Sequence, residues 1–133
     1  MPITRLNHAV LYVSDLERSV RFYTEVLGFN LLARVPEEGE PLVWAMLQCD
    51  EVTMMLQDRK SFEEDLPNVA KGSIGGSLVF YIDVAGINEV YEQLKGRVEI
   101  AVDLRDTWYG RREFAFRDLD GYVLVYAEDV PKD

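Results

Sequence analysis

Two stretches of the chain carry the same pattern of apolar and polar positions. Residues 8–29, HAVLYVSDLERSVRFYTEVLGF, run as a short apolar segment, a polar turn, and then Leu16, Val20, Tyr23 and Leu27 at spacings of four, three and four. The stretch VFYIDVAGINEVYEQLKG, beginning at Val79, repeats that order with Ile87, Val90, Tyr91 and Leu94. Spacings of three and four gather side chains on one helical face, so each stretch predicts a strand followed by an amphipathic helix. At an ungapped offset of 71 residues His8 falls on Val79, Val13 on Val84, Leu16 on Ile87 and Tyr23 on Leu94, which marks an internal repeat. Ser14, with Glu17 three residues on, predicts a capping box for the first helix, and Gly28 and Gly96 predict left-handed stops for the two helices.

Three strand candidates follow each helix: NLLARV, PLVWAMLQ and EVTMMLQ in the first half, VEIAVDL, REFAFRD and YVLVYAE in the second. PEEGEP, CDE, RDTWYG and DLDG supply the breaks between them. Between the halves lies DRKSFEEDLPNVAKGSIGGS, where Ser61 and Glu64 could cap one helical turn that Pro67 would end, with a polar, glycine-rich linker after it. The expected fold is therefore α+β. Two tandem βαβββ modules, at about residues 5–58 and 76–129, flank a linker at about 59–75 within a single domain over 1–133.

Composition narrows the function. A chain of 133 residues with 48% apolar and 29% charged content has the make-up of a globular domain with a real core. No segment approaches the roughly 18 consecutive apolar residues of a membrane span, and the N-terminus lacks a signal-peptide layout, so a cytoplasmic location is expected. The formal charge of −10 disfavours nucleic acid and anionic membranes as partners and would attract a cation. Cys49 is the single cysteine, which excludes an intramolecular disulfide and a cysteine zinc cluster. No nucleophile elbow is present, and KGSIGG precedes a strand rather than a helix, so it reads as linker and not as a phosphate cradle.

The duplicated βαβββ module, opening with SDLERSVRFYTEVLGF and closing with the REFAFRDLDG hairpin, resembles the vicinal oxygen chelate superfamily over about residues 5–129. That superfamily holds glyoxalase I, extradiol dioxygenases, fosfomycin resistance enzymes and bleomycin resistance proteins. The resemblance implies that the modules form a curled mixed sheet around a cavity. In metal-using members a ligand sits on the first strand of each module and a glutamate on the last strand of each. Carried onto this chain, the four positions are His8, Val79, Val125 and Met54 (or Met55 if the register slips by one). Valine donates nothing, and thioether sulfur is a poor ligand for a hard divalent ion. These are vestigial positions, and neither a metal nor another cofactor is expected.

Alternation along the strands then predicts the cavity wall. With His8 inward, Val10 and Tyr12 share its face, and Ser77, Val79 and Tyr81 do so in the second module, with Val123 and Val125 on the closing strand. Met54 joins them, with Trp44 and Met46 or their neighbours. Trp108, Tyr109 and Arg111 stand at the mouth. The ligand-binding set expected is thus His8, Tyr12, Trp44, Met46, Met54, Val79, Tyr81, Trp108, Tyr109, Arg111 and Val125, with no catalytic residue assigned. Loss of the metal donors resembles the bleomycin resistance branch, whose members are metal-free homodimers that sequester a drug between subunits. The leading expectation is a homodimeric small-molecule-binding protein for an aromatic or cationic compound. The alternative is a metal-dependent glyoxalase- or dioxygenase-like enzyme with a displaced site.

Overall fold

A computed structural model describes residues 1–65, 74 and 78–131, apart from the side chain of Asp65. Ser77 and Pro67, on which two sequence expectations rest, lie outside the described residues. The chain divides into two compact units, Met1–Ile74 and Gly75–Asp133, close to the two modules read from the repeat.

The first unit contains β1 (Val10–Val13), α1 (Leu16–Arg21), β2 (Asn30–Val35), β3 (Trp44–Cys49), β4 (Val52–Asp58) and α2 (Arg59–Asp65). Its four strands are ordered β1-β4-β3-β2, so the last strand inserts beside the first in parallel and the other pairs are antiparallel. Leu11, Val13, Ala45, Leu47, Met54 and Leu56 are buried on one side of the sheet, where α1 adds Leu16 and packs on β3 and β4. Each such Leu, Val or Met side chain, buried, stabilises the unit by about 1.5–3 kcal/mol.

The first helix departs from its expected form in two ways. Its cap is Asp15, whose carboxylate accepts the Arg18 amide at 3.1 Å, while Glu17 reaches instead to the Leu42 amide at 3.5 Å. A carboxylate one residue nearer the first turn takes an orphan amide, that of Arg18, one residue beyond the amide a Ser14 cap would take. After Arg21 the helix widens into a π-helical turn over Phe22–Val26, closed by Leu27 N–H on Phe22 O at 3.3 Å. The Thr24 hydroxyl donates back to Val20 O at 2.8 Å, which competes with the helical ladder. The extra residue turns both Phe22 and Tyr23 inward, and Tyr23 meets Phe29 edge-on at 5.5 Å. Gly28 ends the helix at φ +78, as expected. In α2 the cap is Asp58, which accepts from the amides of Lys60 and Ser61, so the helix starts before the expected Ser61.

The second unit contains β5 (Val79–Asp83), α3 (Ile87–Leu94), β6 (Glu99–Asp106), β7 (Arg111–Arg117) and β8 (Val123–Asp129). Its order, β5-β8-β7-β6, repeats that of the first unit, again with one parallel pair. Phe114, Phe116, Leu124 and Tyr126 are buried with Ile87 and Leu94 of α3, which packs on β7 and β8. Phe114 lies 5.1 Å from Tyr91 and 5.8 Å from Tyr126, so aromatic edges fill this core. The helix has no side-chain cap of its own, because Gly86 stands at the N-cap with φ 70. Glu128 supplies it from β8, accepting the Gly86 amide at 2.7 Å and that of Ile87 at 3.5 Å. Gly96, unlike Gly28, does not adopt a left-handed conformation. The two units are thus an α+β pair of four-stranded mixed sheets, and neither sheet closes into a barrel.

Candidate ligand-binding face

Each sheet has a second face, turned away from α1 or α3. In the first unit cross-strand register puts Val10 beside Met55, Met46 opposite Met55, and Tyr12 and Trp44 on either side of Gln57. Tyr12 of β1, Trp44 and Met46 of β3, and Met55 of β4 are half-buried there. Tyr12 is further fixed by Phe62 of α2 at 5.1 Å and by the Arg59 guanidinium 5.5 Å above its ring. Met54 does not belong to this face. It is 4% exposed among the core residues beneath α1, one pleat step out of phase with Met55. The expected Met54 position is corrected to Met55, because the β1–β4 pairing that sets the phase is non-local and leaves no mark in the sequence. His8 precedes β1, is half-buried, and shares a 2.6 Å hydrogen bond between Nδ1 and Asn7 Oδ1.

The corresponding face of the second unit is richer. Val79 and Tyr81 of β5 stand beside Val123 and Val125 of β8, with Ala115 of β7 across from Val125 and Val102 of β6 beyond it. Val79, Tyr81 and Val102 are all exposed and lie on one face, which makes a contiguous apolar surface. Within this surface sits a carboxylate that the sequence reading did not single out. Glu113 is only 6% exposed, and each of its oxygens accepts a phenolic hydroxyl at 2.6 Å, Oε2 from Tyr81 and Oε1 from Tyr109. The Arg105 guanidinium lies 3.7 Å from Oε1. Strand alternation alone could have placed Glu113 on this face, since Arg111, Glu113 and Ala115 alternate with Arg112, Phe114 and Phe116. That its partners would be two tyrosines could not be read from alternation.

Tyr109 comes from the hairpin between β6 and β7. Its turn is closed by the Thr107 amide on Arg111 O at 2.7 Å, by the Thr107 hydroxyl on the same carbonyl, and by Gly110 at φ +84. Trp108 at the tip is 95% exposed, with its ring edge-on to Tyr109 at 5.2 Å. The hydrogen bond to Glu113, followed by desolvation, holds the Tyr109 phenol above its ordinary pKa. Arg111, expected at the mouth as a ligand contact, also has partners within the protein. It pairs with Asp129 at 2.6 Å and with Asp83, and lies 5.8 Å over the Tyr81 ring. Those partners, the Asp129 hydrogen bond first and the Tyr81 oxygen next, raise its pKa further. A separate depression of about 370 Å³ runs along α3 between Asn88, Glu89, Glu92 and Gln93, and only solvated polar side chains line it.

The sequence pattern of the Glyoxalase/Bleomycin resistance protein/Dioxygenase superfamily matches residues 5–126. The chain belongs to this superfamily. A bleomycin resistance protein of Geobacillus stearothermophilus is 31% identical over 129 residues, covering 90% of this chain and 93% of that protein. Among solved structures, a superfamily member from Nocardioides superposes with a TM-score of 0.77 at 24% identity, covering 99% of this chain and 89% of that one. TnmS3, an antibiotic binding protein from a Streptomyces strain, superposes with a TM-score of 0.70 at 25% identity over 99% of each chain. The superfamily's divalent metal does not fit the residues present here. Of the four family positions, only His8 offers a nitrogen or oxygen donor, with Met55, Val79 and Val125 at the rest. Among the described residues no three His, Cys, Asp or Glu side chains converge to replace them. No helix among the described residues is long and apolar enough to cross a membrane.

Proposed function

We propose that this superfamily member is a cytoplasmic, homodimeric, metal-independent protein that sequesters an aromatic or cationic small molecule, with its pocket at the dimer interface. One observation carries the reading: the second sheet offers Val79, Tyr81, Val125 and the exposed Trp108–Tyr109 pair around a buried carboxylate. Broad apolar and aromatic area with a few fixed polar points is the make-up of a small-molecule site. Aromatic rings recognise flat compounds by stacking and cations through their negative faces, and neither interaction needs a metal. The bleomycin resistance relatives and the antibiotic-binding TnmS3 support the same class of ligand.

The test is a thermal-shift screen of the purified protein against bleomycin and other cationic aromatic antibiotics. A ligand that binds only the folded state raises the melting temperature, by an amount that grows with the logarithm of its concentration over Kd. For a compound that shifts it, Trp108→Ala should weaken binding about tenfold, equivalent to roughly 1.4 kcal/mol. Sedimentation at micromolar protein should show a dimer. Stoichiometric zinc, nickel, manganese or iron in the purified protein, lost in His8→Ala, would instead establish the metalloenzyme alternative.

A further inference from the structure

The hydrogen-bond direction at Glu113 has a consequence for which ligands the second sheet accepts, and the point rests on that sheet being the binding face. A carboxylate is an acceptor only, so both phenolic protons point at it. Tyr81 and Tyr109 have no proton left to offer a ligand. Of the neighbouring cations, Arg111 is engaged by Asp83, Asp129 and the Tyr81 oxygen, and Arg105 is drawn to the Glu113 carboxylate at 3.7 Å. The Thr107 hydroxyl beside Tyr109 is likewise spent on the Arg111 carbonyl. The polar points next to Val79 and Val125 are therefore phenolic oxygens with lone pairs, polarised by the charge behind them.

We propose that Glu113 is a specificity-determining residue: by fixing both tyrosine protons inward, it makes this face select aromatic compounds that carry N–H or O–H donors over those that carry acceptors. Positive charge on the ligand is not required. A neutral phenol satisfies the site, whereas a ketone of the same size leaves its own oxygen facing two others. A buried acceptor–acceptor encounter costs the desolvation of both groups with nothing in return.

The experiment uses four neutral or charged naphthalenes of one ring size: 2-naphthol, 2-acetylnaphthalene, 2-naphthamidine and 2-methylnaphthalene. Binding is followed by tryptophan fluorescence in a Trp44→Phe background, which leaves Trp108 as the emitter, and by the amide resonances of Val79 and Val125. The wild-type protein should bind 2-naphthol about tenfold more tightly than 2-acetylnaphthalene, with 2-naphthamidine at least as tight as 2-naphthol. In Glu113→Gln the amide must donate to one phenol, which turns that hydroxyl outward as a donor. The preference should then vanish or reverse, while 2-methylnaphthalene binds as before. If Glu113→Gln does not fold, Tyr81→Phe/Tyr109→Phe removes both oxygens and should likewise abolish the preference. Equal or tighter wild-type binding of the ketone overturns the donor rule and leaves the binding reading standing. So does a preference that survives both variants. Failure of all four probes to perturb the sheet overturns both.

Discussion

Phe114 shows what single side chains contribute to the second unit. It is fully buried and meets Tyr91, Phe116 and Tyr126 within 5.8 Å, so truncation opens a void that three rings cannot easily close. Phe114→Ala should cost about 3–5 kcal/mol in urea unfolding monitored by circular dichroism. Tyr109 makes a different prediction, read by pH. Its folded-state pKa lies above the unfolded value, mainly through the hydrogen bond to Glu113. That contribution to stability is fully present below the unfolded tyrosine pKa and is lost as pH rises through the folded one. A tyrosinate absorbance titration should therefore show Tyr109 among the late-ionising phenols, and Glu113→Gln should return it, but not Tyr91, toward the ordinary range. Tyr12, Tyr81 and Val125 stand on the expected faces because alternation within one strand is a local rule. Met54 does not, since its phase depends on which strand lies beside it. Glu113 escaped notice because its partners lie 32 and 4 residues away and meet it only through the sheet and the hairpin.

The helices show a similar division between what is local and what is not. Leu16 and Ile87, equated by the repeat, are each the first helical residue and each buried. The caps, however, come from elsewhere. Asp15→Ala should destabilise the first unit by about 1 kcal/mol, because the Arg18 amide loses its acceptor. For α3 the equivalent experiment is made on a strand: Glu128→Ala should speed hydrogen exchange at Gly86 and Ile87 while leaving the later turns protected. The strands were legible to within two or three residues, since apolar runs broken by Gly, Pro and Asp clusters announce themselves. The π-helical turn after Arg21 was not, because what accompanies it, Thr24 turning its hydroxyl back on the helix, is a side-chain choice rather than a pattern.

At the scale of the molecule, charge is the property most open to test. An excess of acidic residues that gives −10 repels itself in the folded state, so added monovalent salt should raise the melting temperature before any ligand is present. Salt should also weaken 2-naphthamidine binding more than 2-naphthol binding, as differential scanning fluorimetry at two ionic strengths would report. The duplication, the α+β class and the superfamily were all legible, because a repeat of strand, helix and three strands leaves its period in the apolar positions.

The strand order has a consequence for synthesis. In both units the last strand lies between the first and the third, so neither sheet can be completed until its C-terminal strand is available. The first unit can close once residue 58 has left the ribosome. The second must wait for residue 129, since that stretch supplies both the central strand and the carboxylate that starts α3. During the interval Phe114 and Phe116 of β7, fully buried in the finished unit, lack the strand that lies beside them. A nascent chain paused before β8 is thus the form most exposed to chaperones and proteases.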